Sequence, residues 1–276
     1  MSNPSSKGKS QTHTKRRKTQ KPEKRNDHQS HFIFGLHAIQ AALELPVSRV
    51  TEVWLADERH DDRVAAIQAA AKVHKLPVNK VTKAELDEMM PDVRHQGGIA
   101  KCSPLKEFSE PDLLKLVDDL IDNGIAPLLL ILDGVQDPHN LGACLRTAEA
   151  AGAHAVIAPK DRASGLTATA MKVSSGSAER LPFVQVTNLA RLLRELQQTG
   201  VWLVGTSGDS NSALYDIKLE GPLAIILGAE GRGIRRLTRE HCDQVVYIPM
   251  QGSAESLNVS VAAGVCLFEA ARQRGL

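Results

Sequence analysis

The chain has 276 residues, 42% of them hydrophobic, and a formal charge of +2, which is enough apolar material for one large or two ordinary domain cores. No apolar run approaches the ~18 residues of a membrane span, and the amino terminus has no hydrophobic segment of signal-peptide type, so the chain reads as soluble and cytoplasmic with no membrane partner. Aromatic residues make up only 3%, which disfavours an RNA reader that stacks bases on aromatic rings and leaves charge and backbone shape to carry any nucleic-acid contact.

The charge is unevenly spread. Residues 1–30 hold nine Lys or Arg against Glu23 and Asp27, a net +7, so the remaining 246 residues carry −5. Apart from Met1 this tail has no aliphatic, aromatic or cysteine residue, and it is expected to be disordered because it cannot bury surface to offset ordering entropy. It is either a solubilising leader or an arm that adds salt-sensitive RNA affinity. Cys102, Cys144, Cys242 and Cys266 are widely spaced without a C-x-x-C pair; they read as small buried apolar residues in a reducing compartment, with no disulfide framework and no metal.

Residues 31–104 alternate helix and strand. In HFIFGLHAIQAALEL, Leu36, Ile39, Ala42 and Leu43 share a helical face, and VTEVWLA alternates as a strand. A helix over Asp61–His74 puts Val64, Ile67, Ala71 and Val73 near one stripe, with Asp61 and Asp62 at its positive end. PVNKVT, a short helix over Lys83–Met89 and GGIAKCS complete a small α/β domain. Residues 105–126, with Pro111, Asn123 and Gly124 around a short helix, read as a linker.

From residue 127 to 276 the alternation is regular. LLLILD, AVIA, FVQV, VWLVG, Leu223–Leu227 and Val245–Ile248 read as strands, with helices over 140–151, 166–173, 189–198 and 257–274. Strand and helix in turn over 150 residues predict a mostly parallel sheet covered on both faces. Ligands in such sheets sit beyond the carboxyl ends of the strands. Two strand ends taken as adjacent carry GAEGRG and PMQGSAESLN. The first has the spacing G-x-x-G-x-G rather than the dinucleotide fingerprint G-x-G-x-x-G; it is either a plain turn or a loop whose glycines admit a ligand. A third segment, DGVQDPHNLGACLRTAEAAG, starts a helix at Asn140 and puts Arg146 six residues on.

These three segments, in this order, resemble the three motifs of the SpoU (TrmH-like) family of RNA ribose 2'-O-methyltransferases in the SPOUT superfamily. The matching residues are Asn140, Gly142 and Arg146; Gly228, Glu230, Gly231 and Gly233; and Pro249, Gly252, Ser256, Leu257 and Asn258. Residues 31–104 are similar to the amino-terminal domain of the bacterial branch that methylates a guanosine of 23S ribosomal RNA; the basic tail departs from its compact members.

The resemblance implies an α/β fold in which a mostly parallel sheet is tied in a carboxy-terminal trefoil knot, beside a smaller RNA-binding α/β domain. It implies a homodimer acting on 23S ribosomal RNA, with the helices over 140–151 and 257–274 as the interface. It implies S-adenosylmethionine as cofactor, held by Gly205, Thr206, Gly228, Glu230, Gly231, Ile248, Met250, Leu257 and Asn258. Arg146 is then the hydroxyl-activating residue, although a guanidinium does not readily give up a proton, with a substrate phosphate or Glu230 as proton acceptor. Glu230 is equally readable as a structural carboxylate. Asn140, Ser256 and Asn258 orient substrate or loops, or Ser256 and Asn258 simply cap a helix. In the small domain the basic candidates for RNA contact are Arg49, Arg59, Arg63, Lys72, Lys75, Lys80, Lys83, Arg94 and Lys101. Transfer RNA is the alternative substrate, and a noncatalytic ribosome-assembly protein is the alternative class, which would be expected to have lost Arg146 or the Gly228 loop.

Overall fold

A computed structural model describes Met1 and residues 32–45, 48–91, 93–103, 108–229 and 233–275; the tail of residues 1–30, apart from Met1, lies outside them. The small domain comprises β1 (Phe32–Phe34), α1 (Leu36–Leu43), β2 (Val50–Ala56), α2 (Asp62–Val73), β3 (Val78–Val81), α3 (Lys83–Met89) and β4 (Gly98–Cys102). Its sheet runs β1-β4-β2-β3, with β4 antiparallel to both β1 and β2. Leu36, Ile39, Ala42 and Leu43 share the buried face of α1 as expected, and Phe32–Phe34 ahead of them form a strand. Gly35 at φ 88° makes the break, a backbone conformation that side-chain-bearing residues rarely adopt.

Two local signals fix helices here. Asp61 caps α2 by accepting from the backbone of Arg63 and Val64, and Thr82 with Glu85 forms a reciprocal capping box on α3. Val64, Ile67 and Ala71 are buried as expected, but Val73 is 79% exposed. It lies on the last turn of α2, past the stripe that faces α1.

The large domain contains α4 (Glu110–Asp122), β5 (Leu128–Asp133), α5 (Pro138–Ala150), β6 (Ala155–Pro159), α6 (Ala168–Val173), α7 (Ser177–Arg180), β7 (Phe183–Val186), α8 (Leu189–Gln198), β8 (Trp202–Thr206), β9 (Leu223–Gly228), α9 (Arg236–Glu240), β10 (Gln244–Val246) and α10 (Val259–Gln273). The sheet is β10-β8-β9-β5-β6-β7, parallel throughout. Strand β5 explains the layering. Leu128, Leu130 and Leu132 point to the side covered by α5 and α10, and Leu129 and Ile131 to the side covered by α4 and α8, because successive side chains of a strand alternate faces. On α8, Leu189, Leu192, Leu193 and Leu196 are all buried, each burial contributing about 1.5–3 kcal/mol.

Three expectations change. The segment 105–126, read as a linker, mostly forms α4, whose Leu113 and Val117 are buried in the core of the large domain. Strands β9 and β10 are not neighbours: β8 lies between them. Strand β10 ends at Val246, and α10 begins at Val259, so Leu257 precedes the helix.

The two domains touch. Arg49, just before β2, and Glu179 on α7 form an ion pair, and Gly176 packs where an added Cβ would lie 2.4 Å from the Cβ of Ala41 on α1.

Candidate active site

The strand order sets the position of the site. From β5 the chain builds outward through β6 to β7, then crosses to the other side to add β8, β9 and β10, so the order reverses between β5 and β9. The carboxyl ends of two parallel strands at such a reversal leave a crevice. Two cavities open there, sharing Ala229, Gly233 and Val259 in their walls.

The first, of about 420 Å³, lies beyond β8, β9 and β10 and against the start of α10. Leu227, Ile248 and Leu257 give it apolar walls, and Thr206, Asp209, Met250, Glu255 and Ser256 also line it. Asp209 is acidic at a useful place. Hydrogen bonds from Ser207 and then from Arg239 hold its carboxyl below the usual range, so it is ionised when facing a cation. An apolar slot with acidic groups at its rim suits a flat heteroaromatic ring joined to a positively charged sulfonium and ammonium portion.

Gly228 lines this cavity, but its first constraint is internal. A Cβ there would fall 1.9 Å from the carbonyl carbon of Gly233 and 2.2 Å from the amide nitrogen of Ile234. The chain folds back on itself: the Gly233 amide donates to the Ala229 carbonyl at 3.0 Å, and Gly233 sits at φ 64°. Gly228 is therefore required by the approach of the loop's own backbone. Glu230 and Gly231 lie outside the described residues. Gly205 does not line the cavity; it packs instead against Cys242 and Ile234, which an added Cβ would meet at 2.7 and 2.8 Å. Burial pushes the Cys242 thiol up to about 12, as it does those of Cys102 and Cys266.

The second cavity, of about 490 Å³, lies over the ends of β5 and β9 and the first turn of α5. Asp137 caps α5 by accepting from the His139 amide at 2.9 Å, and Pro138 occupies its first turn. Asn140 lines this cavity, and its Oδ1 accepts from Asn258 Nδ2 at 3.0 Å. Asn258 also caps α10, accepting from the Ser260 amide at 2.9 Å, so the one side chain caps the helix and holds Asn140. Gly142 lets α5 and α6 cross closely; a Cβ there would meet the Ala170 carbonyl oxygen at 2.6 Å.

Arg146 is elsewhere. Six residues on from Asn140 is about 120° around the helix, and Arg146 is exposed, lining neither cavity. It makes no hydrogen bond or ion pair with the described residues. The structure thus brings together Asn140, Gly228, Thr206, Ile248, Met250, Ser256 and Leu257 in the walls of the two cavities, holds Asn258 behind Asn140, and leaves Arg146 and Gly205 outside them.

Ser207, Asp209, Glu255, Asp133, Arg235 and Arg162 around these cavities escaped the sequence reading. Ser207 and Asp209 belong to the loop after β8, whose strand was recognised but was not expected between the other two. Asp133, fully buried at the end of β5, accepts from the Arg235 backbone amide at 2.8 Å and from its Nε at 2.6 Å. The separation of 102 residues leaves no local pattern to reveal this pair. Among the described residues no group of three or more His, Cys, Asp or Glu could hold a metal ion, and no helix is long and apolar enough to cross a membrane.

A profile of the SpoU rRNA methylase family matches residues 127–268, and one described as RNA 2'-O ribose methyltransferase substrate binding matches residues 32–108. The chain belongs to the SpoU rRNA methylase family. Among SpoU relatives, the chain is 54% identical over 243 residues to a protein of Photobacterium profundum named 23S rRNA (guanosine-2'-O-)-methyltransferase RlmB, covering 88% of this chain and 98% of that one. It is 51% identical over 245 residues to the protein of the same name from Escherichia coli K12, covering 89% and 99%. A solved RNA 2'-O ribose methyltransferase superposes with a TM-score of 0.72 at 29% identity, covering 89% of each chain. The SpoU methyltransferase AviRb from Streptomyces viridochromogenes, in complex with the cofactor AdoMet, superposes with a TM-score of 0.68 at 25% identity, covering 88% of this chain and 90% of that one.

Proposed function

We infer that this SpoU family member methylates the ribose 2'-hydroxyl of a guanosine in 23S ribosomal RNA, using S-adenosylmethionine. The observation that carries the reading is the pair of cavities with a common wall: one is apolar with an acidic rim, suited to the cofactor, and the other is lined by amide and guanidinium donors, suited to a nucleotide. Relatives with the 23S guanosine name match across both domains, which favours ribosomal over transfer RNA and supports a cytoplasmic location for the reaction.

The cofactor supplies an electrophilic methyl group on a sulfonium. The protein's part is to hold the ribose hydroxyl in line with that methyl and to accept its proton. In this reading Leu227, Ile248 and Leu257 would hold the adenine by apolar contact, and Asp209 and Glu255 would balance the cationic portion. Asn140, fixed by Asn258, orients the ribose. Glu230 is either the proton acceptor or a carboxylate that braces its loop. Arg146 fixes the target phosphate beside the hydroxyl and lowers the hydroxyl's pKa.

Arg146 points away from the cavities of its own chain, so the reading includes a homodimer. Val261 and Phe268, about half exposed on α10, form an apolar patch beside the polar outer face of α5; in this reading a second copy covers the patch, and Arg146 then serves the neighbouring subunit's site. The chain runs from β9 past β8 to β10 and returns as α10 against α5 and β9, which supports the carboxy-terminal knot that this reading includes. Mapping ribose methylation in 23S ribosomal RNA from cells with and without the gene tests the function. One guanosine that loses its 2'-O-methyl group is the expected result; an unchanged map overturns the reading.

A further inference from the structure

The second cavity contains two guanidinium groups, those of Arg162 and Arg235, to which no particular part of the nucleotide has yet been assigned. Arg235 is anchored from behind. Its backbone amide and Nε donate to the fully buried Asp133, and Nη2 lies against the same carboxylate, yet 46% of the side chain remains exposed and lines the cavity. One edge of the fork is spent on Asp133, which leaves the N–H groups of Nη1 without a partner among the described residues.

Arg162 reaches the same cavity from the loop after β6. It sits at φ 57°, an unusual backbone conformation for a side-chain-bearing residue. The loop is held by the Ser164 amide, which donates to the Val135 carbonyl at 2.8 Å. Arg162 is exposed and makes no hydrogen bond or ion pair with the described residues. The other carboxylate in the wall, Asp137, is engaged by the His139 amide at the start of α5.

We propose that Arg162 and Arg235 form a cradle for a backbone phosphodiester of the RNA strand next to the methylated nucleotide. The proposal rests on the methyltransferase reading and adds to it a substrate subsite. Asp133 balances the charge of Arg235, while Arg162 has no ion-pair partner among the described residues, so an anion in the cavity gains an ion pair with Arg162 and hydrogen bonds from the free edge of Arg235, which favours a phosphodiester over an uncharged guanine edge. Planar forks are suited to phosphate oxygens. Asp133 acts as a positioning residue: it holds Arg235 in one orientation, so that little side-chain entropy is lost on binding RNA.

The test uses the full chain and unmodified 23S ribosomal RNA transcribed in vitro, with RNA affinity measured over a potassium chloride series. Arg162→Gln leaves the backbone requirement unchanged and breaks no ion pair. It is expected to weaken RNA binding roughly tenfold at low salt and to reduce the salt slope by about 0.7–0.9, the value of one phosphate contact. Melting temperature and S-adenosylmethionine affinity by calorimetry should stay at wild type. Arg235→Lys, which keeps a charge beside Asp133 while losing the fork, should raise KM for RNA several-fold more than it lowers kcat.

Wild-type RNA affinity and salt slope in Arg162→Gln would overturn the cradle, and so would weakened binding with an unchanged slope, because the contact would then be to base or sugar. Failure of the underlying reading is separately visible. A wild-type protein that does not methylate the transcript, but whose RNA binding still depends on Arg162 with the expected slope change, would remove the reaction and keep the cradle.

Discussion

Arg49 and Glu179, 130 residues apart, join the two domains through parallel bonds, Nε to Oε2 and Nη2 to Oε1, each 2.6 Å. The Glu179 side chain is 1% exposed and that of Arg49 12%, and Arg49 Nη1 also donates to the Ser103 carbonyl. Arg49, expected among the RNA-contacting cations, is therefore committed to the domain interface. On the other side of Glu179, Arg180 pairs with Glu149 of α5 at 2.9 Å, so the small domain is linked to the helix that carries Asn140 and Arg146.

Removing one partner of a buried pair leaves a charge without compensation, at a cost of about 3–5 kcal/mol. We expect Arg49→Ala to loosen the interface: faster proteolytic cleavage between the domains and a raised KM for RNA, with S-adenosylmethionine affinity unchanged. If cleavage rate and KM both equal those of wild type, the pair does not set domain orientation.

Arg146→Ala should abolish methyl transfer while the fold and cofactor binding stay intact, since the side chain is exposed and lines neither cavity. Arg146→Lys should restore little, because a point charge does not replace a planar fork. Hybrid dimers of Arg146→Ala with a cofactor-binding-deficient subunit provide the sharper measurement. Turnover by the hybrid, when both parent dimers are inactive, is expected if Arg146 acts across the interface; a silent hybrid would return it to its own subunit.

Gly228→Val is expected to eliminate S-adenosylmethionine binding and to lower the melting temperature, with a dimer still eluting on size exclusion. The cause is the loop's own backbone at residues 233 and 234, so even Gly228→Ala should weaken the cofactor at least tenfold. Calorimetry showing wild-type affinity in the Ala variant would contradict the close approach at 1.9 Å.

Deleting residues 1–30 should leave melting temperature and cofactor affinity unchanged and weaken RNA binding mainly at low salt, since its net +7 acts through counterion release. Identical binding of full-length and truncated protein across a salt titration would assign the tail to solubility.

Glu269 on α10 accepts from Arg272 at 2.8 Å and from Gln273 at 2.8 Å, and these bonds lower its carboxyl to about 2. A lowered folded value contributes stability above the ordinary value of 4.5 and loses it as pH falls from there towards 2. The acid side of the stability curve should thus be shallower in Glu269→Gln than in wild type; equal slopes below pH 4.5 would dismiss the contribution.

The sequence by itself determined the parts whose signals are local. LLLILD is a strand because six consecutive apolar or terminal positions suit burial on both faces, and the α8 leucines repeat at helical spacing. The three loops with Asn140, Gly228 and Leu257 were legible as a family resemblance because the residues of a ligand loop are few and specific. Tertiary structure alone decided what depends on partners far along the chain. Whether β8 lies between β9 and β10 is a matter of which crossovers pack, and no single strand encodes its neighbours. Asp133 looked like the end of a strand until Arg235 arrived beside it, and Arg49 looked like a surface cation until Glu179 covered it. Arg146 and Asn140 read as one motif on one helix, yet the rotation of that helix against α6 and α10 puts Asn140 in the wall of the second cavity and leaves Arg146 exposed, because burial of Leu141, Cys144, Leu145 and Ala148 dictates which faces remain.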